Sequence, residues 1–192
     1  DNGNTEPSQP SNGGSGGGSS TSSVRQNPTA GGSAETPSAG SGFGDVSASD
    51  YFASAVQWAV DSGITSGVTS SEFAPYSACT RAQIITFLWR AAGSPLPQNT
   101  DTRLTDVQSG MYYYNAVLWA VENGIAQGIS ETEFAPDATV TRSQTVAFLY
   151  RAAGSPAASG HSFSDVPADA YYRAAVQWAV DSGITSGVTS SE

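Results

Sequence analysis

Thr80-Arg81-Ala82-Gln83-Ile84-Ile85-Thr86-Phe87-Leu88-Trp89-Arg90-Ala91-Ala92-Gly93 recurs downstream as Thr141-Arg142-Ser143-Gln144-Thr145-Val146-Ala147-Phe148-Leu149-Tyr150-Arg151-Ala152-Ala153-Gly154. Each copy opens on Thr with Gln three places on, the signature of a capping box at a helix start. Each closes on Gly, a left-handed stop, and Pro95 bars continuation of the first copy. Between cap and stop the first copy is apolar almost all round, which a stable helix tolerates only when other helices surround it. The reading is an inner helix, present twice.

Upstream of each inner helix lies a second helical pattern. Phe52, Ala55, Val56, Ala59 and Val60 fall at i, i+3, i+4, i+7 and i+8, one face of a helix, and Tyr51, Ala55 and Trp58 line an adjacent stripe. Gly63 is its expected left-handed cap. The same signals return at Tyr113, Ala116, Val117, Ala120, Val121 and Gly124, and again from Tyr172 to Gly183. A loop rich in Gly, Ser and Thr closes on Phe73-Ala74-Pro75 and on Phe134-Ala135-Pro136. Asp45-Val46, Asp106-Val107 and Asp165-Val166 open the three copies. The third copy matches the first residue for residue from Ala175 to Glu192 and stops before its own Phe-x-Pro and Thr-Arg-x-Gln segments, which suggests a fragment. No segment alternates as a strand does, so the expected fold class is all-α, built from tandem two-helix repeats.

The chain has 192 residues and a net charge of −10, with 17 acidic residues against 7 basic ones, all Arg. That balance argues against nucleic-acid binding and against a polybasic membrane-surface segment. No apolar run approaches the roughly 20 residues that span a bilayer. A single cysteine, Cys79, excludes an internal disulfide and a Cys-rich zinc site, and a single histidine, His161, excludes a His cluster. No cofactor is expected. Residues 1–42 are rich in Gly and Ser, with Val24 the only large aliphatic residue. Such a segment cannot bury enough apolar area to offset the entropy of ordering it, and reads as a disordered tether to an upstream module. The expected units are then 43–95, 104–156 and a truncated 163–192.

Short motifs in fixed order, Asp45-Val46 with its opening Phe43-x-Asp45-Val46, then Tyr51-Phe52-x-x-Ala55-Val56-x-Trp58-Ala59, Gly63-Ile64-Thr65-x-Gly67, Phe73-x-Pro75 and Thr80-Arg81-Ala82-Gln83, resemble the S-layer homology (SLH) family from about Phe43 to Glu192. The resemblance implies a pseudo-threefold helical module in which one helix of each unit joins a central bundle. It also implies non-covalent attachment of a secreted protein to bacterial secondary cell-wall polysaccharide, often carrying pyruvate ketals, held in grooves between units. The implied location is extracellular, on the cell wall. The sequence departs from the family in using Gln83 and Gln144 where Glu is common, and Cys79 where an aliphatic residue such as Val140 precedes the motif.

The residues offer a mechanism of their own. A capped helix start followed at once by Arg is an anion receptor: first-turn N–H groups, the positive end of the dipole and a planar fork converge. Arg81 and Arg142, with their caps Thr80, Gln83, Thr141 and Gln144, are therefore the leading glycan-binding candidates; the plain alternative is a solvated arginine or one bridging to a carboxylate. Gly67 and Gly128 would let loop backbone approach a sugar. Trp58, Trp119 and Trp178 lie on an apolar helix stripe and either pack in the core or cover a sugar's apolar face. Asp45 and Asp106, like Asp165, either brace the loop at the helix entry or meet sugar hydroxyls. Arg90 and Arg151 suit the last helical turn structurally. Cys79 reads as a small buried hydrophobe. Tyr112-Tyr113-Tyr114 is shared between core and surface in no apportioned way.

Catalysis has no support in the pattern. Glu131 and Glu133 have no acid set opposite them for paired-carboxylate hydrolysis, and there is no phosphate loop, HExxH or calcium loop. The reading is a non-enzymatic glycan-binding anchor; the alternative is a helical-repeat protein–protein module. The third unit's first helix is expected either to pack on the Thr141–Ala153 helix or to fray.

Overall fold

The computed structural model describes residues 42–160 and 163–188. The expected tether, but for Gly42, and His161 lie outside the described residues. The described residues form five helices: α1 (Ala53–Asp61), α2 (Arg81–Ala91), α3 (Tyr114–Glu122), α4 (Arg142–Ala152) and α5 (Arg173–Asp181). Among the described residues there is no strand, only an isolated bridge between Thr80 and Thr139. The fold is all-α.

The helix ends follow the sequence signals. Thr80 and Thr141 each accept from the N3 amide and receive the Gln83 or Gln144 side chain on their own amide, so α2 and α4 both carry complete capping boxes. α1 stops in a Schellman motif: the Gly63 amide bonds to Val60 and the Ile64 amide to Ala59, with Gly63 at φ +69°. α3 and α5 end the same way at Gly124 and Gly183, so the three first helices share one length and one exit angle.

The helices associate across units. α3 packs along α2, α5 packs along α4, and α2 packs against α4. Each first helix from the second unit onward thus leans on the inner helix of the unit before it. Between the two outcomes expected for the third unit, packing on the preceding inner helix is the one observed. Among the described residues α1 packs on no other helix. The main core joins Ile85, Val107, Val117, Ile125, Phe134 and Phe148 across units 1 and 2, whereas Phe43, Val46 and Val56 form a separate small cluster under α1.

The consequence shows in equivalent positions. Ala116 is fully buried and Ala175 is 2% exposed, each under the preceding inner helix, while their counterpart Ala55 lies open. Trp119 and Trp178 are half-buried, and Trp178 meets Tyr150 of α4 at 5.7 Å; Trp58 is 62% exposed. Near-identical helices differ in burial because, among the described residues, an inner helix lies on α3 and α5 and none lies on α1.

Candidate functional site

The Thr-Arg-x-Gln starts of α2 and α4 have the same local build and different surroundings. At α2, Arg81 is 7% exposed. Its Nε donates to the Phe134 carbonyl and its Nη2 to the Gln127 carbonyl, both at 2.9 Å. The guanidinium lies 4.6 Å from the centre of the Phe134 ring and 5.5 Å from that of Phe148, a cation–π sandwich. Burial pushes its pKa down, with Tyr171 and Asp106 acting in the opposite sense; an arginine stays charged regardless. The first-turn amides of Arg81 and Ala82 donate to Ala138 and Pro136, and Val140 returns a bond to Cys79. The amino end of α2 is therefore closed by the loop of unit 2.

At α4 the same motif faces outward. Arg142 is exposed, and its one side-chain hydrogen bond among the described residues is a long one, Nη2 to Thr185 Oγ1 at 3.4 Å. The amides of Arg142 and Ser143 meet no acceptor among the described residues. A cleft of about 380 Å³ opens beside them, between the start of α4 and unit 3, with Thr141, Asp165, Tyr172 and Thr185 on its walls. Positive charge, free donors and an accessible recess coincide there.

The other candidates fall into place around these two ends. Asp45 Oδ1 and Oδ2 accept from the Phe73 and Ala74 amides at 2.9 and 2.7 Å, and Asp106 grips Phe134 and Ala135 in the same way. These bonds hold Ala74 and Ala135 at φ +58° and +57°, a left-handed conformation that costs a non-glycine residue about 1 kcal/mol. The Phe73 amide is the chief reason the Asp45 carboxyl sits below the usual aspartate range. Gly67, at φ +82°, packs where a Cβ would strike the Phe43 ring and the Glu72 carbonyl. Gly128 is hemmed in by the Ser130 and Glu133 carbonyls. Both glycines serve close packing within their own loops.

Arg90 and Arg151 tie the far ends of the inner helices to their own units, donating to the Ile64 and Ile125 carbonyls at 3.0 and 3.3 Å. Each inner helix thus carries one Arg for its own unit and one directed to the next. A second cleft of about 450 Å³ lies in unit 1 beside α2, with Gly67, Gln83, Arg90 and Tyr112 on its walls. Cys79, on the same cleft, is half-buried; burial raises its thiol pKa, which suppresses the reactive thiolate. Tyr113 is core and Tyr112 is exposed, with burial of its hydroxyl end the main cause of a raised pKa. Sequence reasoning did not single out Tyr172 and Thr185 as members of the Arg142 cleft. Their repeat positions were the available signal, because each lies at the junction a following unit presents to the preceding helix.

The S-layer homology domain model matches residues 42–85, 103–146 and 162–192, more than half of the chain. The chain belongs to the S-layer homology family. It is 38% identical over 101 residues to a "Surface-layer 125 kDa protein" of Lysinibacillus sphaericus, a match covering 53% of this chain and 8% of that protein. It is 31% identical over 116 residues to a "Cell surface protein" of Thermoanaerobacter kivui, covering 58% of this chain and 15% of the other. The chain therefore spans a small part of the length of these relatives. Membership in the S-layer homology family places the module at the extracellular cell surface, with the general role of cell-wall attachment through wall polysaccharide. No helix among the described residues is long and apolar enough to cross a membrane.

Proposed function

We propose that this S-layer homology module anchors its protein by binding an acidic, pyruvate-bearing secondary cell-wall polysaccharide, and that the cleft at the start of α4 is where the carboxylate docks. The observation that carries the reading is the exposed Arg142 guanidinium beside two unbonded first-turn amides. A ketal carboxylate set there would take a bidentate charge-assisted pair from Arg142 and further bonds from the amides of Arg142 and Ser143. Thr141, Thr185 and the Asp165 carboxylate are in reach of sugar hydroxyls, and the Tyr172 ring offers an apolar wall. Asp165 repels a badly placed carboxylate, which favours one orientation of the ligand. Arg81 supports the site from a distance, by fixing unit 2 and hence the base of α4.

The chain's net charge of −10 repels an acidic polymer at long range, so attraction has to come from this local site and should weaken with salt. Retention on purified pyruvylated wall polymer tests the reading. Arg142→Ala should lower affinity about tenfold or more, in line with about 1.5–3 kcal/mol for a charge-assisted contact. Removing the ketal from the polymer should produce the same loss with the unaltered chain. Equal retention of Arg142→Ala, or binding that survives removal of the ketal, would favour the protein–protein alternative instead.

A further inference from the structure

Every first helix ends on an acid: Asp61 closes α1, Glu122 closes α3 and Asp181 closes α5. A carboxylate at the carbonyl end of a helix opposes the dipole, so three in register need a reason outside the helix. Units 2 and 3 supply one. Glu122 Oε2 accepts from the Gln98 amide at 3.0 Å, and Asp181 Oδ2 accepts from the Ser159 amide at 3.4 Å. Both amides belong to the segment leading into the unit, and each follows by five residues the glycine that stops the preceding inner helix, Gly93 or Gly154. Gly160 runs so close to Asp181 that a Cβ there would strike the carboxylate. In unit 2 the same segment is also held at the Pro95 carbonyl by Trp89 Nε1 and at the Thr100 carbonyl by the Tyr114 hydroxyl. The acid is a latch on the incoming chain.

Unit 1 has the latch without an incoming amide among the described residues. Asp61 Oδ1 accepts from Gln57 Nε2 at 2.8 Å, and its Oδ2 accepts nothing there. A separate observation points to a missing donor. Gln57 Oε1, one turn back on α1, is buried and has no hydrogen-bond partner among the described residues. A buried amide oxygen left unpaired is costly. The same position in unit 2 is Leu118, which is buried and needs no partner. Two neighbouring acceptors on α1 therefore lack donors, and the chain enters the described unit at Gly42.

We propose that Asp61 latches the last residues of the segment before unit 1, with the Ser38 amide donating to its free oxygen. The span selects the residue. The latched amides precede their acids by 24 residues in unit 2 and 22 in unit 3. The same spans counted back from Asp61 bracket Pro37, Ser38 and Ala39. Pro37 has no amide hydrogen to give. Ser38 follows Pro37 as Gln98 follows Pro97. The Ser38 hydroxyl supplies the donor that Gln57 Oε1 lacks. Unit 1 then begins at Ser38 and not at Phe43, and a pull on the preceding chain meets the end of α1 before it meets the Asp45 loop. The inference is independent of the glycan reading.

Amide exchange of the full chain, read residue by residue by NMR and corrected for intrinsic rates, tests the latch, with Gln98 and Ser159 as internal standards. Ser38 should exchange about tenfold more slowly than Ser33, as expected of a hydrogen bond to a charged group. Asp61→Ala, at an exposed position, should return Ser38 to the Ser33 rate while leaving Gln98, Ser159 and the amides of α3 unchanged. Glu122→Ala should release Gln98 and leave Ser38 protected. Ser38 exchanging as fast as Ser33 in the unaltered chain would overturn the proposal. So would protection at Ala39 in place of Ser38, or protection of Ser38 that survives Asp61→Ala.

Discussion

Arg81 and Arg142 occupy the same position of the same motif on two helices with the same cap, and they have different environments. Arg81 is sealed between two rings and two carbonyls; Arg142 looks into a cleft with one long contact. The helix does not decide which role its arginine takes. The loop of the following unit does, because that loop supplies the carbonyls and the aromatic walls. α1, α3 and α5 make the same point: one apolar stripe, repeated three times, is core where an inner helix lies on it and surface where none does.

The sharpest way to break this comparison is to place a charge on the stripe. Ala116→Glu would bury a carboxylate between α2 and α3 without a partner and is expected to cost about 3–5 kcal/mol, enough to unfold a marginal domain. Ala55→Glu, on the open helix, should stay within about 0.5 kcal/mol of the parent. Denaturant midpoints of the two variants measure the difference, and similar values would mean α1 is covered in solution.

The arginines come next. Arg81→Ala removes a buried cation and leaves the Phe134 carbonyl without its donor, an expected loss of about 3 kcal/mol; Arg142→Ala should cost less than about 0.5 kcal/mol while reducing polymer retention. Equal destabilisation by the two would erase the distinction between clamp and site.

A gentler probe is pH. The Asp45 carboxyl titrates below its ordinary value because the ionised form accepts the Phe73 amide. A lowered folded-state pKa makes its contribution complete above the unfolded value and lost as pH falls through the folded one. The Phe73 and Ala74 amides should therefore become less protected from exchange only in the acid range below that of an ordinary aspartate. Loss of protection near neutrality would show that the clasp does not depend on ionised Asp45. The smallest expected effect is at the caps: Gln83→Ala and Gln144→Ala each remove half of a capping box and should cost about 0.5–1 kcal/mol, with the same shift in midpoint for both. A larger loss at Gln83 would mean that the interface with unit 2 depends on the cap.

The helices were legible because their signals are local. Period 3.6, Thr-x-x-Gln and a following Gly fix start, stop and inward face within a dozen residues, and α2 and α4 begin and end accordingly. What sequence could not decide depends on partners far along the chain. The Asp45 clasp closes on amides 28 and 29 residues away, so bracing and ligand contact read alike until the loop is seen. The open face of α1 was hidden for a plainer reason. Residues 55–72 and 175–192 are the same string, and a string cannot report whether a neighbour lies against it.

The open face of α1 carries its own optical label. Among the four tryptophans, Trp58 stands mostly in water while Trp89, Trp119 and Trp178 are half-buried. Its indole emission is therefore the water-relaxed component of the spectrum and the one most accessible to a collisional quencher. A blue shift with lost quenching would register, in real time and without any attached dye, the moment at which the first helix of the molecule gains a neighbour.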